Sequence, residues 1–540
     1  MKLTGAQAMV KALELEGIKT IFGYPGAAIC PFYDALLDSD ITHVLTRNEQ
    51  GAAHAANGYA RVTGKPGVCV ATSGPGATNL ITGIATAYSD SIPMVAITGQ
   101  VSLDLIGRDV FQEVDTTGAT APFCKHNYLV KKVGDLPRVI KEAFHIASTG
   151  RPGPVVIDVP VDIQTQVLEF KYPETVDIKG YKPNYKGHPQ QIKRISEAIS
   201  RAENPVICAG GGVITANASE IMTKFAEKCG IPVVTTLMGK GAISGDHGLN
   251  LGMLGSHGVF AANYAINKTD LLILIGARVG DRALGTAEKI VEKAKIIHID
   301  IDPAEIGKNV STTIPVVGDA KLILEDLYKV IQPGDTFRWV DSIKKIKEEK
   351  AVKFSSYGGS VNPKLLISKL SERLDENAIM ATEVGQNQIW AANNFTAKRP
   401  GAFITSGGLG TMGFGLPAAI GAKLGNPERT VIVVGGDGSF QMSMPELGTI
   451  KQSRIGVKIL IVNNSRLGMV REIQKNKYDK RYSQVFMNDN PDFVKLAGAY
   501  GFKSEKISDD SQIDEALDRF LTDDGTYLLE CIVDPEESTI

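Results

Sequence analysis

The chain has 540 residues, 43% of them hydrophobic and 22% charged, and its formal net charge is −2. A chain of this length exceeds a single hydrophobic core and predicts about three domains. The near-neutral charge provides no basic field for nucleic acid, and the absence of an apolar stretch of about 18 residues predicts no membrane span. Six scattered cysteines without metal-type spacing indicate buried thiols in a reducing cytoplasm. The N-terminus begins with a helical pattern and lacks the apolar stretch of a signal peptide.

The first block of the chain, residues 1–175, alternates helical patterns with short apolar runs. Continuous apolar runs are typical of strands buried in parallel sheets. The runs in this block cover residues 20–23, 68–71, 94–97 and 155–159.

Glu49 follows a short predicted strand at 43–46 and precedes an alanine-rich helix at 51–61. It therefore lies at the carboxyl end of a strand and at a helix start. The alternative is an ordinary acid in the first turn of a helix, where it interacts with the macrodipole. The segment 72–79 repeats the order of strand, tight turn and helix start.

The second block, residues 190–335, repeats this alternation after a linker rich in Lys, Tyr and Pro. Predicted strands cover 205–208, 271–275 and 296–299, and the first of them enters a turn at 210–212. A charged stretch at 344–353 indicates a solvated helix face that leads to the third block, residues 360–540. Alternation of this kind predicts an α/β protein with three doubly wound parallel-sheet domains, one per block.

The third block contains Gly436-Asp437-Gly438-Ser439 after an apolar run at 430–434, and 24 residues separate Gly438 from Asn463-Asn464. That spacing fits one helix and a return strand, so Asp437 and Asn464 should lie at the carboxyl ends of adjacent strands, where open α/β sheets bind ligands. A carboxylate, an amide oxygen and a nearby carbonyl form an oxygen set suited to Mg²⁺. The alternative is an ordinary strand-turn with an Asn pair in a later turn.

The order of these motifs resembles the acetohydroxyacid synthase (acetolactate synthase) family of thiamine diphosphate enzymes over nearly the whole chain. The segments that carry the resemblance are Glu49 and its neighbours, 73–79, 111–113, 151–154, 409–413, 436–439 and 463–464. The resemblance implies a pyrimidine-binding domain at 1–175, a central Rossmann-like domain at 190–335 and a diphosphate-binding domain at 360–540. It also implies decarboxylation of pyruvate and its ligation to a second 2-keto acid, in branched-chain amino acid biosynthesis or an acetoin pathway.

The resemblance assigns catalytic roles to five residues. Glu49 would hydrogen-bond the aminopyrimidine ring of thiamine diphosphate and exchange a proton with it. Phe111 and Gln112 would face the reacting carbons, and the backbone of Gly26 would donate to the developing oxyanion. Arg278 would receive the carboxylate of the second substrate, a role that suits its planar fork of donors.

Further positions match the family's cofactor contacts. Those for thiamine diphosphate are Glu49, Pro75, Asn79, Gln386, Gly410, Met412, Gly438, Ser439, Met442 and Met469. Asp437, Asn464 and the carbonyl of Arg466 would hold Mg²⁺. Those for FAD are Arg151, Gly211, His257, Asp300 and Asp319. FAD would be structural, because carboligation transfers no net electrons.

Four positions depart from the family's usual pattern. Val279 and Gly280 replace an aromatic residue and a carboxylate near the flavin, and Asn387 replaces a common histidine. Ile473 stands where biosynthetic members carry the tryptophan that favours 2-ketobutyrate as the acceptor.

Each site of the family lies across a dimer interface, so the resemblance implies a homodimer or a dimer of dimers, with a small regulatory subunit as a further partner. Two other activities remain open at this point. One is a simple 2-keto-acid decarboxylase, and the other is a pyruvate oxidase that passes electrons to flavin.

Overall fold

Three six-stranded sheets, all with parallel pairing, form the framework of the computed structural model, which describes residues 1–284, 293–350, 354 and 358–539. Each sheet is built from one segment of the chain, and helices separate the strands. This arrangement confirms the predicted class of three doubly wound α/β domains. The exact domain limits stay a prediction.

The N-terminal sheet contains strands whose residues are buried on both faces, as in β-strands Gly67–Ala71 and Met94–Gln100. Its elements in chain order are β1 (Lys2–Thr4), α1 (Gly5–Leu15), β2 (Thr20–Gly23), α2 (Cys30–Leu36), β3 (Thr42–Leu45), α3 (Glu49–Thr63), β4 (Gly67–Ala71), α4 (Pro75–Asp90), β5 (Met94–Gln100), α5 (Thr116–Thr120), β6 (His126–Leu129), α6 (Leu136–Ser148), β7 (Pro154–Pro160), α7 (Val161–Thr165) and β8 (Val167–Glu169). The strand order is β3-β2-β4-β5-β7-β6, while β1 and β8 form a separate antiparallel pair.

The central sheet has the strand order β11-β10-β9-β12-β13-β14. Its elements are α8 (Pro189–Ile199), β9 (Pro205–Ala209), α9 (Gly211–Thr215), α10 (Ser219–Cys229), β10 (Val233–Thr235), β11 (Asn250–Met253), α11 (Phe260–Lys268), β12 (Leu271–Ile275), α12 (Asp281–Leu284), β13 (Lys295–Asp300), β14 (Ile314–Val317), α13 (Ala320–Val330) and α14 (Phe337–Glu349). The predicted turn at 210–212 is the start of α9, and the charged stretch predicted at 344–353 is helical up to Glu349. Residues 351–353 of that prediction lie outside the described residues.

The C-terminal sheet has the strand order β16-β15-β17-β18-β20-β19. Its elements are α15 (Pro363–Arg373), β15 (Ile379–Thr382), α16 (Gln386–Asn394), β16 (Phe403–Ile404), α17 (Gly415–Gly425), β17 (Val431–Gly436), α18 (Asp437–Gln441), α19 (Leu447–Ser453), β18 (Lys458–Asn463), α20 (Gly468–Lys477), α21 (Phe493–Ala499), β19 (Lys503–Ile507), α22 (Ile513–Thr522) and β20 (Tyr527–Ile532). Because β17 pairs with β18 in parallel, Asp437 and Asn464 follow the carboxyl ends of neighbouring strands, as the spacing predicted.

Helices α3 and α17 join the N-terminal and C-terminal sheets through small residues. A Cβ atom added to Gly58 of α3 would overlap the carbonyl of Ala418, and one added to Gly421 of α17 would overlap the carbonyl of Ala55. The two backbones therefore approach closely, which requires glycine at both positions. The helix that begins with Glu49 is thus held against the domain that contains Asp437.

Candidate active site

Asp437 is the first residue of α18 and is almost fully buried, with 1% of its surface exposed. Burial raises the pKa of Asp437 to about 6, although Asn490 donates to its Oδ2 at 2.7 Å. A buried carboxylate of this kind is suited to pairing with a cation. The sequence did not predict the contact of Asn490 with Asp437, because Asn490 lies in a loop 53 residues further along the chain.

Asn464 follows β18 and is also buried. Its Nδ2 donates to Gln386 Oε1 at 2.8 Å, and its Oδ1 accepts from the backbone N–H of Arg466 at 3.1 Å. Arg466 and Phe486 are paired in an isolated antiparallel β-bridge, and the hydrogen bonds of this bridge are made by the residues on either side of each. The backbone carbonyl of Arg466 therefore points away from Phe486. Asp437, Asn464 and Arg466 all line one cavity at this edge of the sheet. A carboxylate, an amide oxygen and a backbone carbonyl form a donor set that fits Mg²⁺.

A cavity of about 70 Å³ lies at the ends of β17 and β18. Among the residues that line it are Gln386, Asn387, Met412, Asp437, Gly438, Ser439, Asn464, Arg466 and Met469. Asn387 is buried, and its Oδ1 has no hydrogen-bond partner. Because amide oxygen and nitrogen are exchangeable in assignment, the unpaired end of Asn387 is a polar group free to meet a ligand. These residues fit the diphosphate end of thiamine diphosphate with its Mg²⁺.

Glu383 supports the loop that contains Gly410 and Met412. Its carboxylate accepts from the backbone N–H groups of Gly413 at 2.7 Å and Leu416 at 3.2 Å, and from the Ser443 hydroxyl at 3.2 Å. Burial raises the pKa of Glu383 to about 7. The carboxyl thus connects the loop before α17 with the turn after Met442, whose side chain is 62% exposed. In the sequence, the role of Glu383 is indicated only by its position directly before the Val-Gly-Gln segment at 384–386.

Glu49 is the first residue of α3, and Asn79 of α4 donates to its Oε2 at 3.0 Å. Pro75 begins α4 after Gly74, which has a φ of 59°. The carboxylate of Glu446, a residue of the C-terminal domain, accepts a hydrogen bond at 3.1 Å from the backbone N–H of Asn48, which directly precedes α3. A residue from another domain therefore holds the start of the helix that presents Glu49.

Gly26 and Gln112 lie in loops beside Glu49. A Cβ atom on Gly26 would overlap the side chain of Thr72, which also lies next to Gly76. Gln112 has a φ of 59°, and its backbone lies against Gly74 at the start of α4. Phe111 is 86% exposed. Gly26, Gln112 and Glu49 are thus gathered around one turn, as a shared site requires.

Within one chain, the Glu49 group and the Asp437 group are separate. The cavity beside Asp437 is lined only by residues of the C-terminal domain, and Glu49 lies outside its lining.

A larger cavity of about 580 Å³ lies at the carboxyl ends of the central strands. Arg278 lies in its lining, and so do all five residues that match FAD contacts, which are Arg151, Gly211, His257, Asp300 and Asp319. Gly211 begins α9, and Asp319 caps α13 by accepting from the Leu322 N–H at 3.1 Å. Burial raises the pKa of Asp300 to about 6.

The arginines of this cavity already have protein partners. Arg151 pairs with Asp302 at 3.1 Å and Glu305 at 2.9 Å, and Arg278 donates to the carbonyl of Ser89 at 2.6 Å. The charge of Arg151 is therefore partly neutralised by two carboxylates that sequence reasoning did not connect with it.

Comparison with known families defines the class of protein first. Residues 3–119 match the N-terminal TPP binding domain of thiamine pyrophosphate enzymes, residues 192–327 match their central domain, and residues 383–531 match their C-terminal TPP binding domain. Thiamine pyrophosphate is another name for thiamine diphosphate. Both parts of the family's binding region for this cofactor are thus present, as expected from the sequence.

Individual relatives identify the family within this class of enzymes. The chain is 50% identical to the probable acetolactate synthase large subunit of Methanocaldococcus jannaschii, with 99% of this chain and 93% of that protein covered. It is 45% identical to the acetolactate synthase isozyme 2 large subunit of Escherichia coli strain K12, with 99% and 96% covered, and 48% identical to the acetolactate synthase of Mycobacterium bovis, with 94% and 85% covered. The chain therefore belongs to the acetolactate synthase family of thiamine pyrophosphate enzymes. This membership confirms the predicted family and the enzyme class, a transferase.

None of the helices in the described part of the chain is both long and apolar enough to cross a membrane.

Proposed function

We propose that the protein is an acetolactate synthase, which decarboxylates pyruvate and joins the remaining two-carbon unit to a second 2-keto acid. With pyruvate as the acceptor, the product is 2-acetolactate. The observation that carries the proposal is the parallel pairing of β17 with β18, which brings Asp437 and Asn464 together beside a small cavity. Its support from outside the structure is the similarity to acetolactate synthases over nearly the full length of the chain.

In this proposal Asp437, Asn464 and the carbonyl of Arg466 would hold Mg²⁺, which would supply positive charge for the diphosphate of the cofactor. Gly438 lets the backbone approach the diphosphate closely, and Ser439 and Asn387 provide polar contacts. When bound, thiamine diphosphate supplies the carbon nucleophile and the electron sink that decarboxylation of a 2-keto acid needs. The remaining contacts to the cofactor come from Pro75, Asn79, Gln386, Gly410, Met412, Met442 and Met469.

Glu49 holds and moves the proton of the cofactor's aminopyrimidine ring. The hydrogen bond from Asn79 fixes one carboxylate oxygen of Glu49 and leaves the other for this exchange. The backbone N–H of Gly26 donates to the oxygen of the reacting carbonyl, while Phe111 and Gln112 enclose the substrate. Arg278 binds the carboxylate of the second 2-keto acid, which requires it to release the Ser89 carbonyl or use its other nitrogens.

We propose a homodimer, or a dimer of dimers, in which Glu49 of one subunit faces Asp437 of the other. Large apolar side chains near both groups are exposed in the single chain, with Phe111 at 86%, Met442 at 62% and Leu409 at 46%. Exposed apolar side chains around a site of polar residues are typical of surfaces that another subunit covers. Relatives named as large subunits suggest a small regulatory subunit as a further partner. We place the enzyme in the cytoplasm, in branched-chain amino acid biosynthesis or an acetoin pathway.

The cavity of about 580 Å³ is the proposed site of a structural FAD. Its support is the convergence of Arg151, Gly211, His257, Asp300 and Asp319 on one groove. An absorption spectrum in the flavin region, taken after purification and again after soaking with FAD, tests this. The absence of a flavin band in both samples would mean that the central domain keeps its fold without the cofactor.

Product analysis tests the main proposal. The purified protein is incubated with pyruvate, Mg²⁺ and thiamine diphosphate, with and without 2-ketobutyrate, and we expect CO₂ and 2-acetolactate from pyruvate alone. The Asp437→Ala variant serves as the control. Acetaldehyde as the main product would indicate a decarboxylase, and oxygen consumption would indicate an oxidase.

A further inference from the structure

The side-chain amide of Gln386 has all its hydrogens in use. Its Nε2 donates to Glu472 Oε1 at 2.7 Å and to the carbonyl of Glu537 at 2.9 Å. Its Oε1 accepts from Asn464 Nδ2 at 2.8 Å. Only 5% of Gln386 is exposed, so water does not replace these partners. The residue is therefore a fixed link between Glu472 and the proposed metal ligand Asn464.

Glu472 and the backbone carbonyl of Glu537 together decide which way the Gln386 amide points. A carboxylate accepts and does not donate, so the atom of Gln386 that faces it must be the NH₂ group. The reversed amide would place its oxygen against the Glu472 carboxylate and the Glu537 carbonyl, with no hydrogen between the oxygens. The Gln386 oxygen must then face Asn464. Gly468 makes room for this, because a Cβ atom there would overlap Gln386 Oε1.

The orientation of Asn464 follows from that of Gln386. Since the Gln386 oxygen accepts, the Asn464 amide must present its NH₂ group to it. Asn464 Oδ1 is therefore turned the other way, towards the backbone of Arg466. Mg²⁺ requires an oxygen at this position and does not accept an amide nitrogen.

The last residues of the chain hold Glu472 in turn. Thr539 donates to Glu472 through its backbone N–H at 2.9 Å and its hydroxyl at 2.8 Å, and it is 5% exposed. Lys364 pairs with the Glu537 carboxylate at 2.9 Å, and Trp390 Nε1 donates to the carbonyl of Ser538 at 3.1 Å. We call residues 535–539 the C-terminal strap. The C-terminal strap forms hydrogen bonds with both Gln386 and Glu472 and so restrains both side chains.

We propose that Glu472 is a positioning residue for metal binding, which sets the orientation of Asn464 through Gln386 and is itself fixed by the C-terminal strap. This inference rests on the proposed Mg²⁺ site. Glu472 does not need to touch the metal, the cofactor or the substrate. Loss of a group that orients a metal ligand typically lowers metal affinity by about 10–100-fold.

The test measures Mg²⁺ affinity by titration calorimetry at a fixed concentration of thiamine diphosphate, and kcat as a function of Mg²⁺ concentration. In Glu472→Leu, Gln386 loses one of its two acceptors and Thr539 loses the carboxylate that holds the C-terminal strap, and we expect a Kd for Mg²⁺ that is higher by about 10–100-fold. Because Asn464 and Asp437 remain, kcat should recover in large part at saturating Mg²⁺. Loss of a residue needed only for folding would not raise the Kd for Mg²⁺ while kcat recovers at saturating Mg²⁺.

Glu472→Gln is the matched control. Its oxygen replaces the one that accepts from Gln386, and its NH₂ group can donate to the Thr539 hydroxyl, so we expect a Kd for Mg²⁺ within about threefold of the parent. Thr539→Val loses the hydroxyl that donates to Glu472 Oε2 and keeps the backbone N–H that donates to Oε1, so it should weaken Mg²⁺ binding to an intermediate degree, which keeps the idea testable if Glu472→Leu does not fold.

The outcomes separate this inference from the proposed function. Unchanged Mg²⁺ affinity in Glu472→Leu, with binding lost in Asp437→Ala, overturns the role of Glu472 and leaves the metal site intact. Equal loss in Glu472→Leu and Glu472→Gln also overturns it, because the amide would then fail to replace the carboxylate. Unchanged affinity in Asp437→Ala overturns the metal site itself and the inference with it.

Discussion

Asp158→Asn should remove a pH-dependent cost of folding from the N-terminal domain. Asp158 lies in β7 and is 1% exposed; its Oδ1 accepts from the Thr98 hydroxyl at 2.6 Å, and its Oδ2 accepts from Gln100 Nε2 at 2.9 Å. Asparagine can offer its oxygen to Gln100 and its NH₂ group to the Thr98 oxygen. The substitution therefore keeps both hydrogen bonds while it removes the charge.

The size of the effect follows from the pKa of Asp158, which burial raises from its ordinary 3.8 to about 7, with a further contribution from the Asp115 carboxylate. Below pH 3.8 both the folded and the unfolded chain carry the proton, so the stability contributed by this group is fully present. As the pH rises towards 7, the unfolded chain releases the proton while the folded chain retains it, and this stability is lost. At about 1.4 kcal/mol per pH unit, the free energy of unfolding falls by roughly 3 kcal/mol between pH 5 and pH 7.

Thermal unfolding of the parent and of Asp158→Asn between pH 5 and pH 8 measures this. The midpoint of the variant should rise relative to the parent by roughly 6–12 °C over that range, since about 1 kcal/mol shifts a domain of this size by 2–4 °C. Asp38→Asn, at an exposed position of the same domain, serves as the control and should follow the parent. Parallel curves for Asp158→Asn and the parent would refute the argument.

Three further predictions concern the proposed chemistry. Glu49→Gln should lower kcat by about 10²–10⁴-fold without a change in fold or thiamine diphosphate affinity, because the proton exchange needs a carboxyl group; turnover within a few-fold of the parent would remove Glu49 from the mechanism. Asp437→Ala should abolish Mg²⁺-dependent binding of the cofactor, and unchanged affinity by calorimetry would show that the metal is held elsewhere. Ile473→Trp, at a side chain that is 38% exposed, should raise the preference for 2-ketobutyrate over pyruvate by about 1 kcal/mol, since an indole gives the extra methylene more apolar contact. The same product ratio for variant and parent in a competition assay would contradict that reading.

The sheet framework was largely predictable because buried parallel strands leave a local signal. The run at 271–275 is continuous and apolar, the run at 296–299 is interrupted only by His298, and the two are paired neighbours in the central sheet. The neighbouring positions of Asp437 and Asn464 were also accessible, since one right-handed crossover brings consecutive strands side by side. Here the length of the intervening segment carries the information.

Contacts between distant side chains left no such signal. Glu472 meets Thr539 across 67 residues of sequence, and Arg151 meets Glu305 across 154. These pairs depend on how separate domains and the chain end pack together, which neither spacing nor periodicity reports. The positive φ of Gln112 is a further example, since glutamine gives no hint of a left-handed backbone.

The crossing of α3 and α17 has a consequence for variation in this protein. Gly58 and Gly421 perform no chemistry, yet each lies where one extra methyl group would overlap a carbonyl of the opposite helix, at Ala418 or Ala55. A saturation library would therefore reject nearly every substitution at these two positions and give them the profile of catalytic residues. Activity screens that rank positions by intolerance alone would place this helix crossing beside Glu49, and only a measurement of folded protein would separate the two.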